Sequence, residues 1–483
     1  MQQPLEFSSR QGRMVVAATV LASGVAFLDG TVVTVALPRI GADLGAGISA
    51  LQWILNGYLL TLGSLVLVGG ALGDLLGRRR VFMIGMYGFA ATSLLCAVAW
   101  DPTALVGARV LQGVFAALLT PTSLAILSSS FSPDDRGRAI GAWSGLSGVT
   151  TAIGPFLGGW LVDAASWRWV FFINLPLIAA AVVITRVAVP ADTGSHVGLR
   201  TGEIINRVDL PGAALTVIGL ALVVTPLIEV ERLPTAAVVS AVGTGILTLG
   251  LFVVYERRRK HPMMPPELFR IRTFSVANLY TVVLYGALTG MSFLISLALQ
   301  RALGYSALAA GAATVPITLV LLAFSARVGA LLPRVGARPL LTAGGVLTAG
   351  GLLLLAEIDA DSRYLTGVFP GVLVFAIGLV LLVAPVTTTA LTDIPLERQG
   401  VASGINNAVA RIAGLLAVAA LPAAAGLSSA SINNPPALLD GMSIALRIAA
   451  VACIAGAMIA WIGLRPRDCL GSTVREEAYR LPR

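Results

Sequence analysis

About fourteen apolar stretches recur along this chain, each near the roughly 20 residues that a helix needs to cross a bilayer at about 1.5 Å per residue. They lie near Met14–Pro38, Ser49–Leu72, Val81–Trp100, Thr103–Leu127, Ala139–Val162, Trp169–Val189, Leu210–Ile228, Ala236–Tyr255, Phe274–Leu299, Ala307–Leu332, Leu340–Ala356, Leu365–Ala390, Val401–Leu427 and Met442–Leu464. Of 483 residues, 57% are apolar and 12% charged, more apolar surface than a water-soluble protein of this size can hide. An all-α polytopic membrane protein is predicted.

The formal charge of +9 does not point to nucleic acid, because the basic residues form no single patch or tail. They recur in alternate loops instead. With Met1 on the cytoplasmic side, the inner loops carry Arg78–Arg80, Arg136, Arg138, Arg200, Arg207, Arg257–Lys260, Arg270, Arg272, Arg334, Arg338 and Arg398. The outer loops hold little beyond Arg39, Arg168, Arg232, Arg301 and Arg363, so the bias is roughly 25 to about five. The positive-inside rule then places both termini in the cytoplasm, and the inner membrane is the expected location. Trp53, Trp100, Trp160 and Trp167 fall near outer ends, where an interfacial aromatic belt would sit. Met1–Arg13 runs into a full span with no small-residue cleavage site, so no cleavable signal is expected.

Asp29 stands out in the first span. An ionised carboxylate well inside the hydrocarbon costs about 2.5–3.5 kcal/mol on insertion scales, so it faces a partner or a wet cavity, or it is protonated. That cost makes Asp29 a candidate proton carrier. Arg109 in the fourth span lies at nearly the same depth, within roughly 3–4 Å at helical rise, so the two are within reach of pairing. Release of Arg109 on protonation of Asp29 could drive a conformational change; a permanent pair that only locks packing is the other reading.

The chain also repeats itself. Gly70-Ala71-Leu72-Gly73-Asp74-Leu75-Leu76-Gly77-Arg78-Arg79 recurs in weakened form as Gly329-Ala330-Leu331-Leu332-Pro333-Arg334-Val335-Gly336-Ala337-Arg338, and Asp135-Arg136 has a counterpart in Glu397-Arg398. Both offsets match spans one to six with spans nine to fourteen. The expected organisation is a six-helix half over residues 1–190, a linker with two inserted helices over 191–272, a second half over 273–464 and a cytoplasmic tail over 465–483. Two such halves around a midplane site suit a secondary transporter that alternates access.

Four motifs carry a resemblance to the major facilitator superfamily, and within it to the fourteen-spanner drug/proton antiporters. Leu28–Pro38 resembles the family's first-helix motif, with Thr34 where Asn is usual. Gly73, Asp74, Gly77, Arg78 and Arg79 resemble the loop between spans two and three, to which the family assigns gating. Arg109-Val110-Leu111-Gln112-Gly113 is similar to the span-four motif. Gly148, Gly154, Pro155, Gly158 and Gly159 resemble the span-five antiporter motif, although small residues also permit ordinary close helix packing. The resemblance implies the major facilitator fold, with Asp29 and Arg109 in proton coupling.

Other deep polar residues are candidates for a substrate cavity. Gln52 and Asn56 lie one turn apart on span two. On span nine, Asn278, Thr281, Tyr285, Thr289, Ser292 and Ser296 form one stripe, either a wet wall or helix-to-helix glue worth about 0.6 kcal/mol per contact. Asn407 and Arg411 lie one turn apart on span thirteen, and Arg411 is expected to meet helix carbonyls, Asp29 or an acidic substrate group. Two deep arginines against one deep acid favour neutral, zwitterionic or anionic amphipathic compounds over dications.

Catalytic chemistry is not in view, and no enzyme is expected. There is no phosphate-cradling loop of a nucleotide-driven pump. His196 and His261 lie in loops, and Cys96, Cys453 and Cys469 show no paired spacing, so neither a metal site nor a disulfide framework is expected. Arg257–Lys260 suits topology and lipid contact. The resulting expectation is a proton-coupled exporter of amphipathic small molecules such as drugs or antibiotics. It would act as a monomer with protons, substrate and membrane lipids as partners, without nucleic acid, and with the proton gradient rather than a cofactor as energy source. The alternatives are a flippase for lipids or cell-wall precursors, a proton-coupled metabolite importer, or a sensor that binds without flux.

Overall fold

The computed structural model describes residues 5–190, 208–259, 262–395 and 398–465. His196, Arg200, Arg207, Lys260, His261, Glu397 and Cys469 lie outside the described residues, as does the tail after Arg465. Sixteen α-helices follow in order: α1 Arg10–Leu44, α2 Ile48–Leu76, α3 Arg78–Ala97, α4 Pro102–Ser130, α5 Pro133–Ala164, α6 Trp169–Phe172, α7 Asn174–Ala188, α8 Leu210–Ile228, α9 Thr235–Arg258, α10 Arg272–Arg301, α11 Ala307–Ala313, α12 Val315–Val335, α13 Ala337–Ala356, α14 Phe369–Leu391, α15 Gln399–Ala424 and α16 Pro435–Gly463. Among the described residues they make 14 spans long and apolar enough to cross a membrane. The protein is multi-pass and all-α, as its sequence predicts.

Proline explains where the spans break. Pro176 has no N–H for the Phe172 carbonyl, and the sixth span is split there into α6 and α7. Pro316 does the same to the Ala312 carbonyl, dividing the tenth span into α11 and α12. Pro38, by contrast, does not end α1, which runs to Leu44 and stops at Gly45 with a φ of 63°. At the other end Ser9 caps the helix, its Oγ accepting from the Gly12 N–H at 2.9 Å. The span therefore exceeds the expected Met14–Pro38.

Helices α1–α7 pack chiefly on one another, and α10–α16 do likewise. Between these groups, α8 rests on both α2 and α15, while α9 packs mainly on α8 and stays peripheral. The repeated loop is visible in the backbone: Gly77 between α2 and α3 has a φ of 100°, and Gly336 between α12 and α13 has a φ of 84°. Each sharp turn needs a residue without Cβ. Trp100 and Trp160 are exposed as a belt requires, but Trp167 is buried, its Nε1 donating to Asp43 Oδ2 at 2.7 Å. That indole is a packing residue, not part of the belt.

Polar contacts between the two groups gather away from the Arg10 end, and proline builds several of them. Pro38 deprives the Thr34 carbonyl of its helical donor, and Ser296 on α10 supplies one at 3.1 Å. Pro422 frees the Val418 carbonyl of α15, which accepts from Gln52 Nε2 on α2 at 2.6 Å. Nearby, Gln300 Nε2 donates to the Val35 carbonyl at 2.9 Å and Arg301 to the Pro38 carbonyl at 2.7 Å. Asp163 at the end of α5 accepts from the backbone N–H groups of Ala307 and Leu308, at 3.2 and 2.8 Å. This end of the bundle is latched shut.

Candidate functional site

Asp29 lies near the middle of α1 and is fully buried. Its Oδ2 pairs with an Arg109 amino group from α4, with both side chains at 0% exposure. Its Oδ1 accepts from Gln112 Nε2 at 3.1 Å and from Asn174 Nδ2 at 3.0 Å. Gln112 lies one turn after Arg109 and also accepts from it at 2.6 Å. Asn174 opens α7, where the Pro176 break exposes a helix start to the cluster. Ser93 on α3 completes the ring, accepting from both amides at 2.9 and 3.2 Å.

Arg109 is held from several sides. Its Nε donates to the Ile54 carbonyl at 3.0 Å, and the guanidinium carbon sits 4.3 Å from the Tyr58 ring centroid and 5.8 Å from that of Phe171. Such stacking suits a planar, weakly hydrated cation. The predicted pairing of Asp29 with Arg109 is thus present, but it is a dry pair with no face on open space. One buried acceptor in the cluster, Asn174 Oδ1, has no donor.

Arg411 is set differently. It lies at the centre of α15 and is half-buried, its guanidinium carbon 5.0 Å from the ring centroid of Phe27 on α1. Among the described residues no carboxylate or carbonyl bonds to it. The expected contact with Asp29 or helix carbonyls is therefore not formed, because both Asp29 oxygens are already taken. Tyr285 is half-buried on α10, the helix that packs on α15, and Asn407 shares the Arg411 face of α15, half-buried and without a protein hydrogen bond.

The remaining candidates for the cavity are buried in seams in this conformation. Gln52 spends its amide on the Val418 carbonyl, and Asn56 is fully buried with neither amide atom bonded. Asn278 back-bonds the Phe274 carbonyl at 2.8 Å and accepts from Asn406 Nδ2 at 3.1 Å; that same amine reaches Thr281 Oγ1 at 2.9 Å. Ser292 bonds the Leu288 carbonyl of its own helix and Ser296 bonds α1, whereas the first part of the span-nine stripe, Asn278 and Thr281, is glue between α10 and α15. Its amide partner is Asn406 rather than the neighbouring Asn407, one residue being a turn of about 100° around the helix.

Span five divides its small residues between two faces. Gly154 and Gly158 press on α1, where a Cβ on Gly158 would lie 3.0 Å from Val32 Cα. Gly141, Gly145, Gly148, Ala152, Pro155 and Gly159 share another face by their alternating spacing of four and three. At the latched end that face meets α11 through Pro155 and Gly159, and Ala152 accepts from Thr318 on α12 at 3.2 Å. At the Arg10 end, Cβ atoms on Gly141, Gly145 and Gly148 would meet nothing within 4 Å. The seam is closed at one end and splayed at the other.

On the splayed side, Asp74 and Arg78 form an i, i+4 pair at 3.0 Å, 64% and 38% exposed. Arg78 also donates to the Ala125 carbonyl and Arg79 to that of Arg186, both at 3.1 Å. Gly73 lies against Thr122, where an added Cβ would come within 2.9 Å, and Gly77 makes the turn described above. These polar contacts of Asp74, Arg78 and Arg79 stay within α2–α7, while Leu75 packs with Val208 and Ala213 at the start of α8. Gln112, Asn174 and Ser93 were not singled out from sequence. Gln112 stands inside the span-four motif, and Asn174 is the one amide in an apolar run, a legible signal; Ser93 has none.

The Major Facilitator Superfamily model matches residues 19–418. The chain is 34% identical over 453 residues to the puromycin resistance protein pur8 of Streptomyces alboniger, covering 90% of this chain and 88% of that protein. It is 35% identical over 412 residues to the cephamycin export protein CmcT of Amycolatopsis lactamdurans, covering 84% of each. The multidrug resistance protein Stp of Mycobacterium tuberculosis is 34% identical over 410 residues, covering 83% of this chain and 74% of that one. In fold, a crystal structure of a POT family transporter in complex with a thioalcohol conjugated peptide matches with a TM-score of 0.70 at 13% identity, covering 95% of this chain and 97% of that one.

Proposed function

This chain belongs to the Major Facilitator Superfamily, and from that membership we propose that it is a proton-coupled antiporter exporting amphipathic small molecules, drugs or antibiotics, across the cytoplasmic membrane. It is a transporter and not an enzyme. Relatives named for antibiotic resistance and export support the direction of transport. The basic loops support cytoplasmic termini, and with that orientation the splayed end opens inward.

The observation that carries the coupling is the sealed Asp29–Arg109 pair with a spare acceptor beside it. A proton on Asp29 removes the charge that Arg109 faces. It also turns the carboxyl into a donor, and the unfilled Asn174 Oδ1 can take that hydrogen bond once the amide turns over. Gln112 and Ser93 can likewise exchange donor and acceptor roles, so the cluster can hold either protonation state. Arg109, freed, loses its anchor between α1 and α4.

Alternating access then follows from unequal binding in two arrangements. Residues 1–190 and 273–464 act as the rocking halves, with the two inserted helices bridging one seam. In the inward-open form substrate enters with Asp29 ionised; in the outward-open form Asp29 takes a proton and substrate leaves. Asp74 and Arg78 gate the inner end by docking on the opposite half when it closes. The proton gradient is the energy source, lipids surround a monomer, and no cofactor takes part.

Everted membrane vesicles carrying the protein test this reading. Puromycin should accumulate inside when the lumen is made acid, well beyond the acid trapping of this amine seen in vesicles without the protein, and nigericin should abolish the excess. Uptake of the same size without a gradient contradicts proton coupling.

A further inference from the structure

We infer that Arg411, seated on Phe27 between α1 and α15, is the recognition point for a negatively charged group, a carboxylate or sulfonate, on an aromatic amphipathic substrate. The inference deepens the export reading above and rests on it.

Three observations lead there. The first is a charge balance inside the bundle: Asp29 and Arg109 cancel each other and are sealed, so Arg411 leaves one net positive charge at the centre. A guanidinium deep in a membrane protein is costly unless an anion, a dipole or water meets it. Among the described residues no acid does. The second is how the side chain is held. Its stem packs on α2, where a Cβ on Gly63 would lie 3.2 Å from Arg411 Cβ, and one face of its head stacks on Phe27. Stem and one face are fixed, which leaves the N–H edge of the planar fork to bond a ligand, and this edge matches two oxygens of one anionic group.

The third observation is the setting. Phe27 belongs to α1, which is wrapped by α4, α5, α7 and α10, so its partial exposure faces the interior between the halves and not lipid. Gly30, one turn on, would have no atom within 4 Å of an added Cβ. Asn407 offers an unused amide one turn from Arg411, and Tyr285 a half-buried ring and hydroxyl on α10, which packs on α15. Phe27 and Tyr285 supply the apolar, aromatic walls. Arg411 supplies a charge without an acid at the centre of the bundle, and its sign selects anions.

A matched pair of dyes tests the assignment. Anilinonaphthalenesulfonate and phenylnaphthylamine share one ring system, and only the first carries a negative charge. Saturable binding of each is measured with the full chain in nanodiscs, empty nanodiscs subtracted, for wild type, Arg411→Gln and Arg411→Lys. The sulfonate should bind Arg411→Gln about tenfold or more weakly, the size of one lost hydrogen bond to a charged group. Arg411→Lys, which keeps the charge but loses the two-oxygen fork and its stacking on Phe27, should bind the sulfonate more weakly than wild type and more tightly than Arg411→Gln. The neutral dye should bind all three alike, which also reports that the variants fold. Equal loss of both dyes, an unchanged sulfonate in Arg411→Gln, or no saturable sulfonate binding to wild type overturns the inference.

Gradient-driven movement of both dyes in proteoliposomes separates this from the export reading. Arg411-dependent sulfonate binding with no movement leaves the site standing and removes export. Movement of the neutral dye with sulfonate binding indifferent to Arg411 does the reverse.

Discussion

Arg109 and Arg411 are guanidiniums of one bundle, each resting on an aromatic ring, yet they live in opposite circumstances. Arg109 has a carboxylate, a glutamine, a carbonyl and two rings, and no exposure. Arg411 has one ring and a partly open head. A cation held by an ion pair, two further hydrogen bonds and two rings, with one amino group left unbonded, holds structure together until its partner changes charge. A cation with its bonding edge unused is available to something that arrives. The same residue type thus divides between coupling and recognition according to whether an acid was placed beside it.

The comparison breaks first at Arg109. Arg109→Ala leaves Asp29 buried without its counter-charge, and thermal unfolding of the purified protein should show a loss of about 3–5 kcal/mol. Adding Asp29→Asn should recover much of it. Arg411→Ala should cost under about 1 kcal/mol in the same assay, since it strands no partner. Equal losses for the two arginines would erase the distinction.

Helix packing tests the frame around the pair. Gly158→Ala pushes α5 off Val32 on the helix that carries Asp29, an overpacking cost of about 1–3 kcal/mol, whereas Gly148→Ala on the splayed face should be neutral in melting. The latch comes next. Gln52→Leu strands the Val418 carbonyl that Pro422 frees, at about 1–3 kcal/mol, and should shift the population toward outer opening. Spin-label distances between the α1–α2 and α10–α11 loops read that shift. The smallest effect is at the amides: Asn406→Ala should lose about 0.6–1.7 kcal/mol with Asn278 and Thr281, and Asn407→Ala nothing in stability while weakening sulfonate binding.

Much of this was legible in the chain before its structure. Length and hydropathy are summed over whole spans, so all fourteen spans could be read, and a lone acid in hydrocarbon marks Asp29 without any geometry. The Asp29–Arg109 pair followed from depth along two helices. Rotation about a helix was harder to read: Asn406 and Asn407 are equally deep, and only the packing of α15 on α10 decides which amide is buried. Gln52 looked like a cavity residue because the sequence does not say that Pro422, far along the chain, leaves a carbonyl facing it. Proline itself was the under-used signal. Pro38, Pro176, Pro316 and Pro422 each mark where a helix breaks or gives a carbonyl to a neighbour.

The most direct test of the account is proton movement itself. Wild type and Asp29→Asn are reconstituted in liposomes with a trapped pH dye, and puromycin and a panel of aromatic acids are added outside. The account predicts compound-dependent proton movement in wild type that disappears in Asp29→Asn while compound binding persists. Equal proton movement in both proteins would contradict it, and would take the coupling away from the sealed pair at Asp29 and Arg109.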